Sequence, residues 1–188
     1  MSAGPCGILL AAGASTRFGS DKLLHRLEGG RPIAAVALAH LRAALPHVVA
    51  VVRPSATALA NLLSEGGATV ILCADADAGM GASLAAGVGA AADASGWVIA
   101  LADMPYIKPE TIAKVAASLS GGADIAAPAY RGARGHPVGI AAQFRAQLQA
   151  LHQDEGARAL LQQHADLIRL VEVDDPGVCR DIDTPADL

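Results

Sequence analysis

Short apolar runs alternate along the chain with longer amphipathic stretches. The first run, Cys6-Gly-Ile-Leu-Leu-Ala-Ala12, stops at a glycine-rich polar stretch, Gly13-Ala-Ser-Thr-Arg-Phe-Gly-Ser20, which is the form of a buried parallel strand and the loop after it. Pro32 opens a helix to about Leu45, with Ile33, Val36, Ala37 and His40 or Leu41 at helical spacing, and the β-branched run Val48 to Val52 follows as a strand. Ser55 reads as the N-cap of a helix that ends at Gly66-Gly67, and Thr69 to Leu72 is a third strand. The turn Gly79-Met-Gly-Ala-Ser83 leads into an Ala-rich helix to about Ala92 and then the strand Trp97 to Ala102. Pro109 starts a helix to Leu119, and the short strands Asp124 to Ala127 and His136 to Ala142 flank the polar turn Arg131-Gly-Ala-Arg-Gly135. Helices Gln143 to His152 and Ala157 to Gln163 and a strand Ile168 to Val173 precede Asp181-Ile-Asp-Thr-Pro185.

Alternation of short buried strands with helices predicts βαβ units and therefore an α/β fold: a Rossmann-like, doubly wound, mainly parallel sheet with helices on both faces. At 188 residues, with no internal repeat or linker, residues 1–188 read as a single domain. A hydrophobic fraction of 53% with 17% charged residues excludes a disordered chain, and charge, Gly and Pro interrupt the aliphatic runs too often for a membrane span. A net charge of −4 without a Lys/Arg run argues against a nucleic-acid partner or a polybasic membrane anchor. Cys6, Cys73 and Cys179 stand far apart with no C-x-x-C, the usage of a reducing cytoplasm, and the amino-terminal stretch lacks the charge and apolar length of a signal peptide. A cytoplasmic location is expected.

Ligands of open α/β sheets bind at the carboxyl ends of the strands. Gly13 and Gly19 bracket a loop whose N–H groups suit anionic oxygens, with Arg17 and Lys22 to add charge, although a plain βα turn with two solvated cations has the same composition. Neither Gly-x-Gly-x-x-Gly nor Gly-x-x-x-x-Gly-Lys-Ser/Thr occurs. Asp103 ends a buried strand, where a carboxylate needs a partner or a cation; the cap of a turn before Pro105 is the alternative, as the cap of a last short helix is for Asp183. Gly81 and Ser83 lie where a glycine-rich turn lets a ligand approach a helix start, or where they simply cap that helix. His25, His40, His47, His152 and His164 read as surface residues. His136 stands between Gly135 and Pro137 in a turn.

Six blocks in order carry a resemblance that spacing alone does not: Leu10-Ala-Ala-Gly-Ala-Ser-Thr-Arg-Phe-Gly-Ser-Asp-Lys22, Gly79-Met-Gly-Ala-Ser-Leu84, Leu101-Ala-Asp-Met-Pro105, Gly135-His-Pro137, Asp154-Glu-Gly-Ala-Arg158 and Asp181-Ile-Asp-Thr-Pro185. Together they resemble the nucleotidyltransferases of the molybdenum cofactor guanylyl- and cytidylyltransferase type, and they span nearly the whole chain. Gln153 stands where that family usually has Gly, and Phe18 where Met is common.

The resemblance implies a nucleotide-diphospho-sugar transferase-like fold and transfer of CMP from CTP to a molybdopterin acceptor, with pyrophosphate released. By resemblance the nucleotide lies on Leu10, Ala11, Ala12, Gly13, Ala14, Ser15, Arg17, Gly19, Lys22, Gly81, Ser83 and Asp103. Lys22, Arg17 and Asp103 would be catalytic, Asp103 and Asp183 would bind Mg²⁺, and His136 and Pro137 would meet the acceptor. Lys22 is expected to swing its ammonium over the phosphates. A molybdoenzyme of the xanthine dehydrogenase type, or its chaperone, is the implied recipient. CTP is favoured over GTP by Gly135-His-Pro137 and Asp181-Ile-Asp183. The competing expectations are a GTP-dependent guanylyltransferase, a nucleotide- or flavin-dependent oxidoreductase of the same shape, and a binding module without catalysis.

Overall fold

The structure is a computed structural model and describes residues 4–13, 18, 21–152 and 156–188. Strands β1 (Cys6–Leu10) and β2 (Val48–Val52) are buried from end to end, and β4 (Gly96–Leu101) is buried but for its last residue. Each is apolar on both sides because helices cover both faces of the sheet. Successive residues feed opposite layers. Leu9, Ala50, Val52, Val98 and Ala100 pack with α1 (Ile33–Ala44), α2 (Thr57–Glu65) and α4 (Pro109–Ser120), whereas Ile8, Leu10, Val49, Val51, Trp97 and Ile99 pack with α3 (Met80–Ala90), α5 (Arg145–Gln149) and α6 (Arg158–Gln163).

With β3 (Thr69–Leu72), β5 (Ile125–Tyr130), β6 (Ala133–Arg134) and β7 (Val138–Ala141), the strand order is β3-β2-β1-β4-β7-β5-β6, and β8 (Ile168–Glu172) pairs with β5. Pairs β1·β2, β2·β3, β1·β4 and β5·β8 are parallel, and β7 is antiparallel to both β4 and β5. The reversal is local in origin. Arg131 and Gly132 have φ of 50° and 82°, the backbone of a two-residue hairpin turn that favours glycine, and the chain returns through β6 into β7. The expected α/β architecture is therefore present, as a mixed sheet that is parallel apart from this insertion.

Several boundaries differ from the sequence expectation. The turn at 131–135 contains β6, and the helix expected from Gln143 to His152 narrows to α5 after a 3-10 turn at Ala142–Phe144. Ser55 is exposed and is not the cap of α2; Ala56 holds that position and makes no side-chain cap bond. Further 3-10 turns at Lys22–Leu24, Ala76–Ala78, Pro176–Cys179 and Pro185–Asp187 are too short to show a periodicity.

Candidate active site

The carboxyl ends of β1 and β4 lie side by side, and the backbone beyond them stays in register: Ala11 N–H donates to Val51 O (2.9 Å) and Ala102 N–H to Leu10 O (3.0 Å). A cleft of about 440 Å³ opens there, lined by Leu10, Ala11, Ala12 and Gly13 from the first junction, Lys22 and Leu23 from the turn that follows, Gly79, Met80 and Ser83 at the start of α3, and Leu101 and Asp103 after β4. Gly81 is buried inside the first turn of α3, so its neighbours rather than Gly81 face the cleft. Ala14, Ser15, Arg17 and Gly19, and likewise Gln153 and Asp154, lie outside the described residues.

Lys22 is 8% exposed. Its ammonium donates to Asp103 Oδ2 at 2.9 Å and to Asp183 Oδ1 at 3.3 Å, joining groups 81 and 161 residues away. Burial opposes the charge on Lys22, but the hydrogen bonds and charges of the two carboxylates outweigh it and hold its pKa above the ordinary lysine value. The second oxygen of Asp103, Oδ1, is buried without a hydrogen-bond partner among the described residues. The ammonium thus rests between two carboxylates at the edge of the cleft.

Backbone contacts bring the distant partner in. Ile182 N–H donates to Asp103 O (2.9 Å), which sets Asp183 beside Asp103. Asp183 does not cap the following turn; Thr184 does, with the Asp187 carboxylate accepting from Thr184 N–H (2.7 Å), its hydroxyl (2.9 Å) and Asp183 N–H (3.2 Å).

His136 sits to one side and, like the buried Pro137, does not line the cleft. Its N–H donates to Val178 O (2.9 Å), and a β-carbon on the preceding Gly135 would meet that same oxygen at 2.2 Å, so this close crossing requires glycine. The imidazole is half-buried with Nδ1 lacking a partner. Burial lowers its pKa; the charges of Asp103 and Asp181 oppose that, and Arg134 adds to it.

Two residues escaped the sequence reading. Arg53, just past β2, lines the cleft, donates through Nε to Ala12 O (2.6 Å) and pairs with Asp77. A lone arginine after a strand carries no motif, and only the adjacency of β1 and β2 puts it here. Asp175 is 1% exposed and accepts from Thr111 Oγ1 (2.7 Å), Lys108 N–H (2.9 Å) and Gly177 N–H (3.1 Å). It anchors the 176–179 turn, whose Val178 O receives His136.

The family model of the MobA-like NTP transferase domain matches residues 7–167, which include the strand ends, Lys22, Asp103 and His136. The chain belongs to the MobA-like NTP transferase family. Within curated proteins it is similar to nicotine blue oxidoreductase of Paenarthrobacter nicotinovorans, 31% identical with 96% of this chain and 93% of that protein covered. It is also similar to the purine catabolism protein PucB of Bacillus subtilis, 31% identical with 95% and 91% covered. Among solved structures, Rv0371c of Mycobacterium tuberculosis superposes with a TM-score of 0.85 at 25% identity, covering 100% of this chain and 96% of that one. A complex of Rv0371c with manganese superposes with a TM-score of 0.80. The described part of this MobA-like chain has no helix long and apolar enough to cross a membrane.

Proposed function

We propose that the protein transfers CMP from CTP to a molybdopterin-type acceptor and releases pyrophosphate. The observation that carries this reading is the convergence of Leu10 to Gly13, Lys22, Ser83 and Asp103 on one cleft at the strand ends, with Asp183 on the same lysine. In such a transfer an oxygen of the acceptor phosphate attacks the α-phosphorus of CTP in line. The bond from that phosphorus to the bridging oxygen breaks, and pyrophosphate leaves with the electron pair. Positioning and charge neutralisation supply most of the acceleration.

The chain's own groups divide that work. By the resemblance the backbone between Gly13 and Gly19 would meet the triphosphate, and Lys22 and Arg17 would balance its charge. Ser83 lines the cleft at the start of α3 and would meet the base or ribose. By the resemblance His136 and Pro137 would meet the acceptor beside this cleft, and burial lowers the pKa of His136 there. Asp103 and Asp183 fit a divalent cation: two carboxylates meet at one positive charge, and a buried oxygen of Asp103 has no protein partner. A pair of carboxylates suits Mg²⁺, which takes one or two carboxylates with phosphates and water. When bound there, Mg²⁺ would neutralise charge on the phosphates. The manganese complex of Rv0371c agrees with a divalent cation in this fold. The product would pass to a molybdoenzyme or its chaperone in the cytoplasm, where the buried thiols of Cys6 and Cys73 stay reduced.

Incubating the protein with each nucleoside triphosphate, Mg²⁺ and molybdenum cofactor, and measuring pyrophosphate, tests the reading. CTP should give the fastest release and the tightest binding by calorimetry. Faster release with GTP would make the protein a guanylyltransferase, and no release with any triphosphate would refute nucleotidyl transfer. The relative named nicotine blue oxidoreductase favours a second reading as a redox enzyme; a visible flavin band in the purified protein, or oxidation of a reduced nicotinamide by it, would establish that one instead.

A further inference from the structure

We propose that Lys22 holds the place of the divalent cation in the substrate-free enzyme, so that the cation enters together with a nucleoside triphosphate and not before it. This inference rests on the reading of Asp103 and Asp183 as the cation's ligands.

Two observations lead to it. A single ammonium lies within hydrogen-bond distance of both carboxylates, at 2.9 and 3.3 Å. Divalent magnesium needs carboxylate oxygens at about 2.0–2.1 Å in near-octahedral order, so an ion shared by the two aspartates would stand where the ammonium stands. Lys22 is also nearly buried, which denies it an aqueous position to retreat to without a change in its turn. Two cations held at that separation in a partly dry site repel strongly. A triphosphate removes the conflict, because it offers the lysine new anionic acceptors in the same cleft and offers the metal the oxygen ligands that two carboxylates alone do not supply. Ammonium and metal then exchange places: Lys22 moves from carboxylates to phosphates, and the metal moves onto the carboxylates. When pyrophosphate leaves, the lysine loses its acceptors, returns to Asp103 and Asp183, and displaces the cation. Metal affinity is thereby high only while phosphates are present, and by linkage the triphosphate binds more tightly with the metal by the same factor.

The test is a titration of Mn²⁺ alone into the intact protein, read by the paramagnetic resonance signal of the free ion. Lys22→Met removes the competing charge, so this variant should bind Mn²⁺ roughly tenfold to a hundredfold more tightly than the unaltered protein in the absence of nucleotide. Lys22→Gln repeats the measurement with a polar side chain should the methionine variant fail to fold. Equal Mn²⁺ affinity with and without the lysine overturns the exchange, since the metal would then bind through the open oxygen of Asp103 with the ammonium still in place. The double variant Lys22→Met, Asp103→Asn separates this failure from a failure of the functional reading. Loss of the tight site in the double variant keeps Asp103 as the ligand, whereas undiminished binding removes the metal from Asp103 and overturns both.

Discussion

Asp175 and Asp103 are two carboxylates in turns of the same protein with opposite surroundings. Asp175 is 1% exposed and takes three donors, two backbone N–H groups and a hydroxyl, none of them charged. Asp103 faces the cleft with one oxygen on an ammonium and the other, among the described residues, without a partner. A carboxylate matched by neutral donors in a fixed fold completes a scaffold and has no reason to exchange partners. One with a buried unmatched oxygen is tolerated where a ligand completes it. The contrast separates a carboxylate that holds the 176–179 turn in place from one that is left open to a further partner.

Substitution of Asp103 probes the contrast with the largest expected effect. Asp103→Ala should cut turnover by two orders of magnitude or more, about 3 kcal/mol of barrier, with a melting temperature close to that of the unaltered protein. Activity above about a tenth of normal at saturating Mg²⁺ would remove Asp103 from the cation site. At Asp175 the pattern should invert. Asp175→Ala strands three donors and should cost about 2–3 kcal/mol of stability in urea unfolding, while kcat of the folded fraction stays near normal. An unchanged unfolding midpoint would show that the turn does not depend on it.

Lys22→Ala should lower kcat by about thirtyfold, close to 2 kcal/mol, and raise the nucleotide KM only modestly, because the ammonium matters most where charge grows on the leaving group. Lys22→Arg should recover part of the loss, since charge persists in a different shape. A normal kcat in Lys22→Ala would mean that the lysine serves the resting state alone. The smallest effect belongs to Asp187. Hydrogen bonds from Thr184 hold its pKa below the usual carboxylate value, so its contribution to stability is present above that usual value and is lost as pH falls through the lowered one. The stability difference between the unaltered protein and Asp187→Asn should therefore shrink on going from neutral to acid pH, and a difference independent of pH would sever it from the Thr184 bonds.

The strands and helices of the amino-terminal half were legible because each buried strand writes its own apolar run and each helix its own period. The order of β7 in the sheet was not legible. It depends on a hairpin at Arg131 and Gly132, whose two positive φ values look in sequence like an ordinary polar turn. The resemblance could name Lys22, Asp103 and Asp183 and assign them to one site, but not the bonds among them. That Lys22 bonds to both aspartates is a fact of tertiary distance, since they lie 81 and 161 residues away. Arg53 and Asp175 were invisible for the same reason, since the partners that give them meaning, Ala12 and Thr111, are remote in the chain. Ser55 misled in the other direction, because a good capping residue next to Pro54 did not take the cap.

A lysine that bonds to partners 81 and 161 residues away has a kinetic consequence. Closing such loops costs chain entropy that only a nearly finished fold returns. The parallel strands β1 and β4 must be paired and the segment that carries Ile182 docked on Asp103 before the three charges can meet. During refolding, helical signal should therefore recover ahead of enzymatic activity, and the interval between them would time the docking of that last segment.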